Sequence, residues 1–192
     1  MRTVVLYGES GVGKTRWLAG HLGLDYVPTF GYNVVEEQVQ VRGTTHRVRW
    51  VDTSGDARWL ESQPWFPRVD LVIVAFSPQQ RESWARVPSW IARANAWHTG
   101  NHERLLVGLH QLSSGSSVRT PTILSMATLC AMTYIDIPRN APPRALGLAA
   151  VVRALCCGAH ERRSVTARFA AGAAVEDDEA SPPLGWCACG AR

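Results

Sequence analysis

The stretch RTVVLYGESGVGKTRWLAGHL, Arg2 to Leu22, runs from a short aliphatic segment through a glycine-rich turn into a helix-forming segment. RTVVLYG is β-branched and aliphatic and ends at Gly8, so it reads as a buried strand. RWLAGHL opens directly after the turn and carries helix-forming residues. Between them, Gly8-Glu9-Ser10-Gly11-Val12-Gly13-Lys14-Thr15 fits the spacing GxxxxGK[ST] of a P-loop. The spacing has a physical cause. Glycines let the backbone curl until successive N–H groups face one anion. The following helix presents its positive N-terminal end to the same anion. Lys14 adds a point charge toward β- and γ-phosphates, and Thr15 offers a hydroxyl to Mg²⁺. Gly8, Ser10, Gly11, Val12, Gly13, Lys14 and Thr15 are therefore the candidate phosphate cradle. A chance glycine-rich turn would not require a strand before it and a helix after it.

Working outward, DYVPTFG carries the breakers Pro28 and Gly31 and reads as a loop. NVVEEQVQV and HRVRWVD alternate about the turn RGTT, which predicts a hairpin. Asp52 ends the second arm and precedes Thr53-Ser54-Gly55. A carboxylate there can hold Mg²⁺ through a water, Gly55 can give its N–H to a γ-phosphate, and Thr29 can supply a second hydroxyl to the metal. Either residue alone reads as a strand-end cap or a loop threonine. In this order after a P-loop they form one set.

VDLVIVAF and LLVGL are continuous apolar runs of strand length, as expected of strands covered on both faces. MTYIDI predicts a last strand. Trp84, Val87, Ile91 and Ala94 recur at helical spacing, with Pro88 expected to delay or bend that helix. Ile123 to Ala131 reads as a short helix, and Ala145, Leu148, Val152 and Leu155 as a final amphipathic one. The alternation predicts an α/β fold: a mostly parallel six-stranded sheet, one antiparallel edge strand, and helices on both faces. It fills residues 1–163. Residues 164–192 are small, acidic and proline-bearing, and are expected to form a flexible tail.

Composition narrows the class. The 46% hydrophobic and 19% charged shares of the 192 residues are those of a globular domain. No run approaches the roughly 20 apolar residues that span a bilayer, and the start lacks a leader-like apolar segment, so a cytoplasmic location is expected. The net charge of +4 is scattered, which argues against a nucleic-acid partner. Five cysteines without paired zinc-ligand spacing are expected to be free thiols. His98 and His102 have helical ligand spacing, but Gly100 and Asn101 between them argue for a loop and against a metal site.

GESGVGKT, YVPTFG, DTSGDARW, WFPRVDLVIVAF followed by RESW, and LLVG together resemble the Ras superfamily of small GTPases, with Rab proteins the nearest branch. PTFGYNVVE is also similar to the Arf family, although Arg2 stands where a glycine lipid acceptor would be needed. The resemblance covers roughly Arg2 to Arg163, more strongly in the first half. It implies a G domain that binds GTP and GDP with Mg²⁺ and acts as a molecular switch, in the Rab branch within vesicle trafficking. Contacts from Thr29 and Gly55 to the γ-phosphate would hold two loops, and its loss would release them. Trp59, Trp65 and Phe66 would offer aromatic area to an effector or regulator.

The pattern breaks at the base side. Where the family has NKxD, this chain has Leu109-His110-Gln111-Leu112, so the carboxylate that reads guanine is replaced by Leu112. The later base-side loop becomes Pro138-Arg139-Asn140, and the aromatic that stacks near the base becomes about Leu22. His110 and Arg139 are the remaining candidate base contacts. Asp56 stands in place of the Gln that orients attacking water, which predicts slow hydrolysis. The paired Cys187 and Cys189 are candidate lipid acceptors for peripheral membrane association, against which stand Gly190-Ala191, the terminal Arg192 and the acidic run upstream. The alternative reading is a pseudo-GTPase, a partner-binding scaffold with relaxed or lost nucleotide specificity. A nucleotide kinase or other P-loop ATPase would explain the lost guanine motif, but the sequence shows no recognisable Arg-rich lid or acceptor site.

Overall fold

The computed structural model describes residues 1–41, 43–61, 68–98, 100–111 and 115–139. The expected final helix, the boundary at residue 163, the tail with Cys187 and Cys189, and residues Trp65, Phe66, Leu112 and Asn140 lie outside the described residues.

The aliphatic runs form the strands. In chain order the elements are β1 (Arg2–Tyr7), α1 (Lys14–Leu22), β2 (Tyr32–Val41), β3 (Thr44–Thr53), α2 (Ala57–Glu61), β4 (Leu71–Phe76), α3 (Arg81–Trp97), β5 (Glu103–Leu109), α4 (Thr120–Leu129) and β6 (Thr133–Ile137). They build one six-stranded sheet in the order β2-β3-β1-β4-β5-β6. β1 pairs parallel with both β3 and β4, and β5 parallel with β4 and β6. Among the described residues only the β2–β3 hairpin is antiparallel, with Tyr32 opposite Thr53 and Val41 opposite Thr44. The sheet is the one expected.

Alternate residues of each central strand feed two cores. Val4 and Leu6 of β1, with Leu71, Ile73 and Ala75 of β4, pack with Leu18 and Leu22 of α1 on one face. Val5 and Tyr7, with Val72, Val74 and Phe76, pack on the other with Val87, Trp90 and Ile91 of α3 and Ile123 of α4. A buried aliphatic side chain contributes about 1.5–3 kcal/mol relative to exposure. Slipping a strand by one residue would exchange the two sets, so the register is strongly specified.

Pro88 does not delay its helix: α3 starts at Arg81, seven residues before Pro88, and runs through it to Trp97. An interior proline removes a backbone donor and costs about 3 kcal/mol. Val87, Trp90, Ile91 and Ala94 are all buried against the sheet, and that packing holds the helix across the defect.

The order places β1 at the switch point. Its neighbours β3 and β4 are reached in opposite directions, which opens a crevice beyond the strands' carboxyl ends. The turn after β1 sits there.

Candidate functional site

A cleft of about 620 Å³ opens at that edge. Ser10 to Thr15, Thr29 and Ser54 line one end; Leu109, His110, Gln111, Ile137, Pro138 and Arg139, from the ends of β5 and β6, line the other.

The turn after β1 is strained in the way glycine tolerates. Gly8, Gly11 and Gly13 have φ of +136°, +79° and +101°. Gly8 also lies against β4, where a Cβ would stand 2.0 Å from the Ala75 carbonyl oxygen. Lys14, at the start of α1, is buried, and its Nζ donates to the carbonyls of Gly8 and Glu9, both at 2.8 Å. Burial pushes its pKa down to about 8, opposed by the negative charges of Asp52 and Glu9. The Glu9 carboxylate accepts a hydrogen bond from Trp90 Nε1 of α3 at 2.9 Å, so α3 buttresses the loop from behind. That contact has no local signal in the sequence.

Thr15, Thr29 and Asp52 converge from three segments. Both hydroxyls donate to Asp52 Oδ2 at 2.6 Å, and the hydroxyl oxygens lie 2.9 Å apart. Two hydroxyl protons serve these three oxygen contacts, so one pair of oxygens meets with no hydrogen between them. Asp52 is 1% exposed, and its Oδ1 is buried with no hydrogen-bond partner. A surplus of hard oxygen lone pairs over protons is the donor set that fits Mg²⁺. Asn33 Nδ2 adds a longer bond to Thr29 Oγ1 at 3.2 Å.

The loop after β3 is tied to its surroundings by main chain. Ser54 N donates to Gly31 O at 2.9 Å, linking the loops that carry Thr29 and Gly55. Gly55, at φ +84°, rests on the phosphate cradle: a Cβ there would come within 2.4 Å of Ser10 N and 2.7 Å of Gly8 O. Asp56 is engaged within its own turn. Its Oδ1 accepts from Arg58 N at 3.0 Å and its Oδ2 from the Arg58 guanidinium at 2.8 Å. The Arg58 side chain holds this carboxyl below the usual carboxylate range. Trp59 is 56% exposed.

At the far end, His110 Nε2 lies 2.8 Å from Asp136 Oδ1, which also accepts from Tyr134 OH at 2.7 Å. Gln111 is engaged on three sides. Its Nε2 donates to the cradle carbonyl of Gly11, its Oε1 accepts from Gln80 Nε2 at 3.2 Å, and its N donates to Gln79 Oε1 at 2.8 Å. Leu22, expected in the aromatic place, instead belongs to the core and is 1% exposed. Trp17 and Tyr26 line the cleft, with the Arg16 guanidinium 5.6 Å from the centre of the Tyr26 ring.

The His98 and His102 rings lie 6.1 Å apart, and among the described residues no group of three or more His, Cys, Asp or Glu side chains could hold a metal. His98 bonds instead to Tyr7 OH at 2.7 Å inside the second core. Among the described residues no helix is long and apolar enough to cross a membrane.

A parallel sheet with a glycine-rich turn at its switch point, Lys14 inside it and a hydroxyl–carboxylate cluster beside it define the class of P-loop α/β folds. Within that class the Ras family model matches residues 3–140, and the chain belongs to the Ras family. It is similar to the Ras-related protein Rab-19 of Xenopus laevis, at 27% identity over 110 residues. The match covers 55% of this chain and 52% of that protein, so the chain spans about half the length of its curated relative.

Proposed function

We propose that the cleft binds a guanine nucleoside triphosphate together with Mg²⁺, and that the chain works as a Rab-like switch with slow hydrolysis. The observation that carries this reading is the convergence of Thr15, Thr29 and Asp52 beside the buried Lys14. The cradle's main-chain N–H groups and Lys14 hold the phosphates; Thr15, Thr29 and, through water, Asp52 hold the metal. Mg²⁺ held by these residues would supply positive charge against the phosphates. Thr29 and Gly55 close on the γ-phosphate, and the Ser54–Gly31 bond makes the two loops move together. Loss of that phosphate frees both. The exposed Phe30 and Trp59, one in each loop, offer area to an effector or regulator.

Asp56 supports slow turnover. A carboxylate beside an anionic γ-phosphate is a poor water-orienting group, and here it is also paired with Arg58. We further propose residues 1–163 as the domain and residues 164–192 as a tail, with Cys187 and Cys189 as the positions through which a membrane anchor would act. The pseudo-GTPase reading is favoured by one feature, the replacement of the guanine-reading carboxylate by Leu112.

Displacement of a fluorescent nucleotide by GTP, GDP, ATP and ADP, with and without Mg²⁺, separates the two. Preference for GTP with Mg²⁺-linked affinity supports the switch. Equal competition supports the degenerate scaffold, and no Mg²⁺-linked affinity for any triphosphate overturns the site as read.

A further inference from the structure

Beyond the phosphate cradle the cleft continues to the ends of β5 and β6, so a nucleoside held by its phosphates reaches His110, Gln111 and Arg139, the polar side chains that the described part of these two ends brings to the cleft. Gln111 is already engaged: its amide nitrogen is on Gly11 O and its amide oxygen on Gln80. Arg139 offers donors only. His110 is different, because its partners decide which ring nitrogen carries the proton.

Asp136 Oδ1 takes two hydrogen bonds, from Tyr134 OH at 2.7 Å and from His110 Nε2 at 2.8 Å. A carboxylate brings no proton, so each donor must bring its own. Burial and the adjoining Asp136 push the Tyr134 phenol above its usual range, which keeps its hydroxyl intact as a donor. With Nε2 turned to Asp136, an imidazole that carries its one N–H there presents Nδ1 as a lone-pair acceptor. The group is closely packed: a Cβ on Gly108 would stand 2.7 Å from Tyr134 OH and 2.9 Å from Asp136 Oδ1. Gly108 makes room for it.

We propose that His110 is the specificity-determining residue of the cleft, accepting through Nδ1 the ring N–H of an oxopurine base. This rests on the reading of the cleft as a nucleoside triphosphate site. Guanine and hypoxanthine both present N1–H beside a carbonyl oxygen, which Arg139 complements with a donor. Adenine presents a bare N1 and would set lone pair against lone pair. A single acceptor cannot also take the 2-amino group that separates guanine from hypoxanthine. The site therefore selects oxopurines over adenine and treats GTP and ITP alike, whereas a carboxylate that bonds both N–H groups separates them.

The test measures Mg²⁺-linked affinity for GTP, ITP, ATP and base-free tripolyphosphate. In the unaltered chain GTP and ITP should bind equally and ATP more weakly. His110→Ala should weaken GTP and ITP by roughly 5- to 10-fold, the worth of one neutral hydrogen bond, and leave tripolyphosphate unchanged. His110→Asn keeps an acceptor oxygen and should recover part of the loss, which a merely structural role would not produce. The proposal is overturned by unchanged GTP binding in His110→Ala, by an equal loss for tripolyphosphate, or by ITP binding on the order of tenfold weaker than GTP in the unaltered chain. Tripolyphosphate binding by the unaltered chain, together with GTP binding that does not respond to His110→Ala, removes the base reading alone. Failure of every probe to bind the unaltered chain removes the phosphate site and this proposal with it.

Discussion

At the phosphate end of the cleft, groups from separate segments converge: Lys14 and Thr15 at the start of α1, Thr29 from the following loop and Asp52 from β3. At the base end the polar groups are matched to one another, with His110 on Asp136, Tyr134 on the same carboxylate, and Gln111 between the cradle and Gln80. The first region keeps an oxygen, Asp52 Oδ1, buried without a partner; the second has most of its hydrogen-bonding capacity engaged within the chain. A site that invests in the polyphosphate and little in the base holds its ligand mainly by charge. Affinity should then respond strongly to changes at one end and weakly to changes at the other.

The most severe way to break this contrast is Lys14→Ala. Removing one partner of a desolvated charged contact costs about 2–5 kcal/mol, so triphosphate affinity should fall by roughly 30-fold to several thousand-fold, measured by displacement titration. A fall no larger than that of His110→Ala would erase the distinction between the ends.

A smaller effect comes from pH. Burial lowers the Lys14 pKa to about 8, and a bound polyphosphate would raise it again by adding negative charge. Binding therefore favours the protonated amine. Affinity should be flat below about pH 8 and decline above it, with Lys14→Arg removing the decline. Folding of the unliganded chain runs the other way. Between about 8 and the ordinary 10.5 the unfolded chain holds the extra proton, so this group favours the fold increasingly as pH rises through that window.

The smallest expected effect is on turnover. Asp56→Gln should raise the single-turnover hydrolysis rate several-fold, within the range set by a better-oriented attacking water. An unchanged or lower rate would remove the carboxylate, and its pairing with Arg58, as the cause of slow hydrolysis.

The aliphatic runs predicted β1, β4 and β5, because a strand buried on both faces must be apolar along its length, and VDLVIVAF is; alternation about RGTT predicted the β2–β3 hairpin. The cradle was equally plain, since its glycines and Lys14 are contiguous. α3 was read less well: Pro88 is a local signal against a helix, and the packing of Trp90 and Ile91 that overrides it is not local. The base end was hidden for the same reason. Trp90 and Glu9 lie 81 residues apart in the chain, and Gln111 and Gly11 lie 100 apart. No periodicity links such pairs. Only the order of strands brings them together.

Gly55 carries a further consequence. With its α-carbon seated on the backbone of Gly8 to Ser10, even one methyl group would wedge the second loop off the first turn and tilt the floor under the phosphates. The demand for glycine is steric and holds before any nucleotide arrives. A lineage that abandoned hydrolysis would still keep this residue, so its persistence reports on how two loops stack, and catalytic competence has to be read from Asp56 instead.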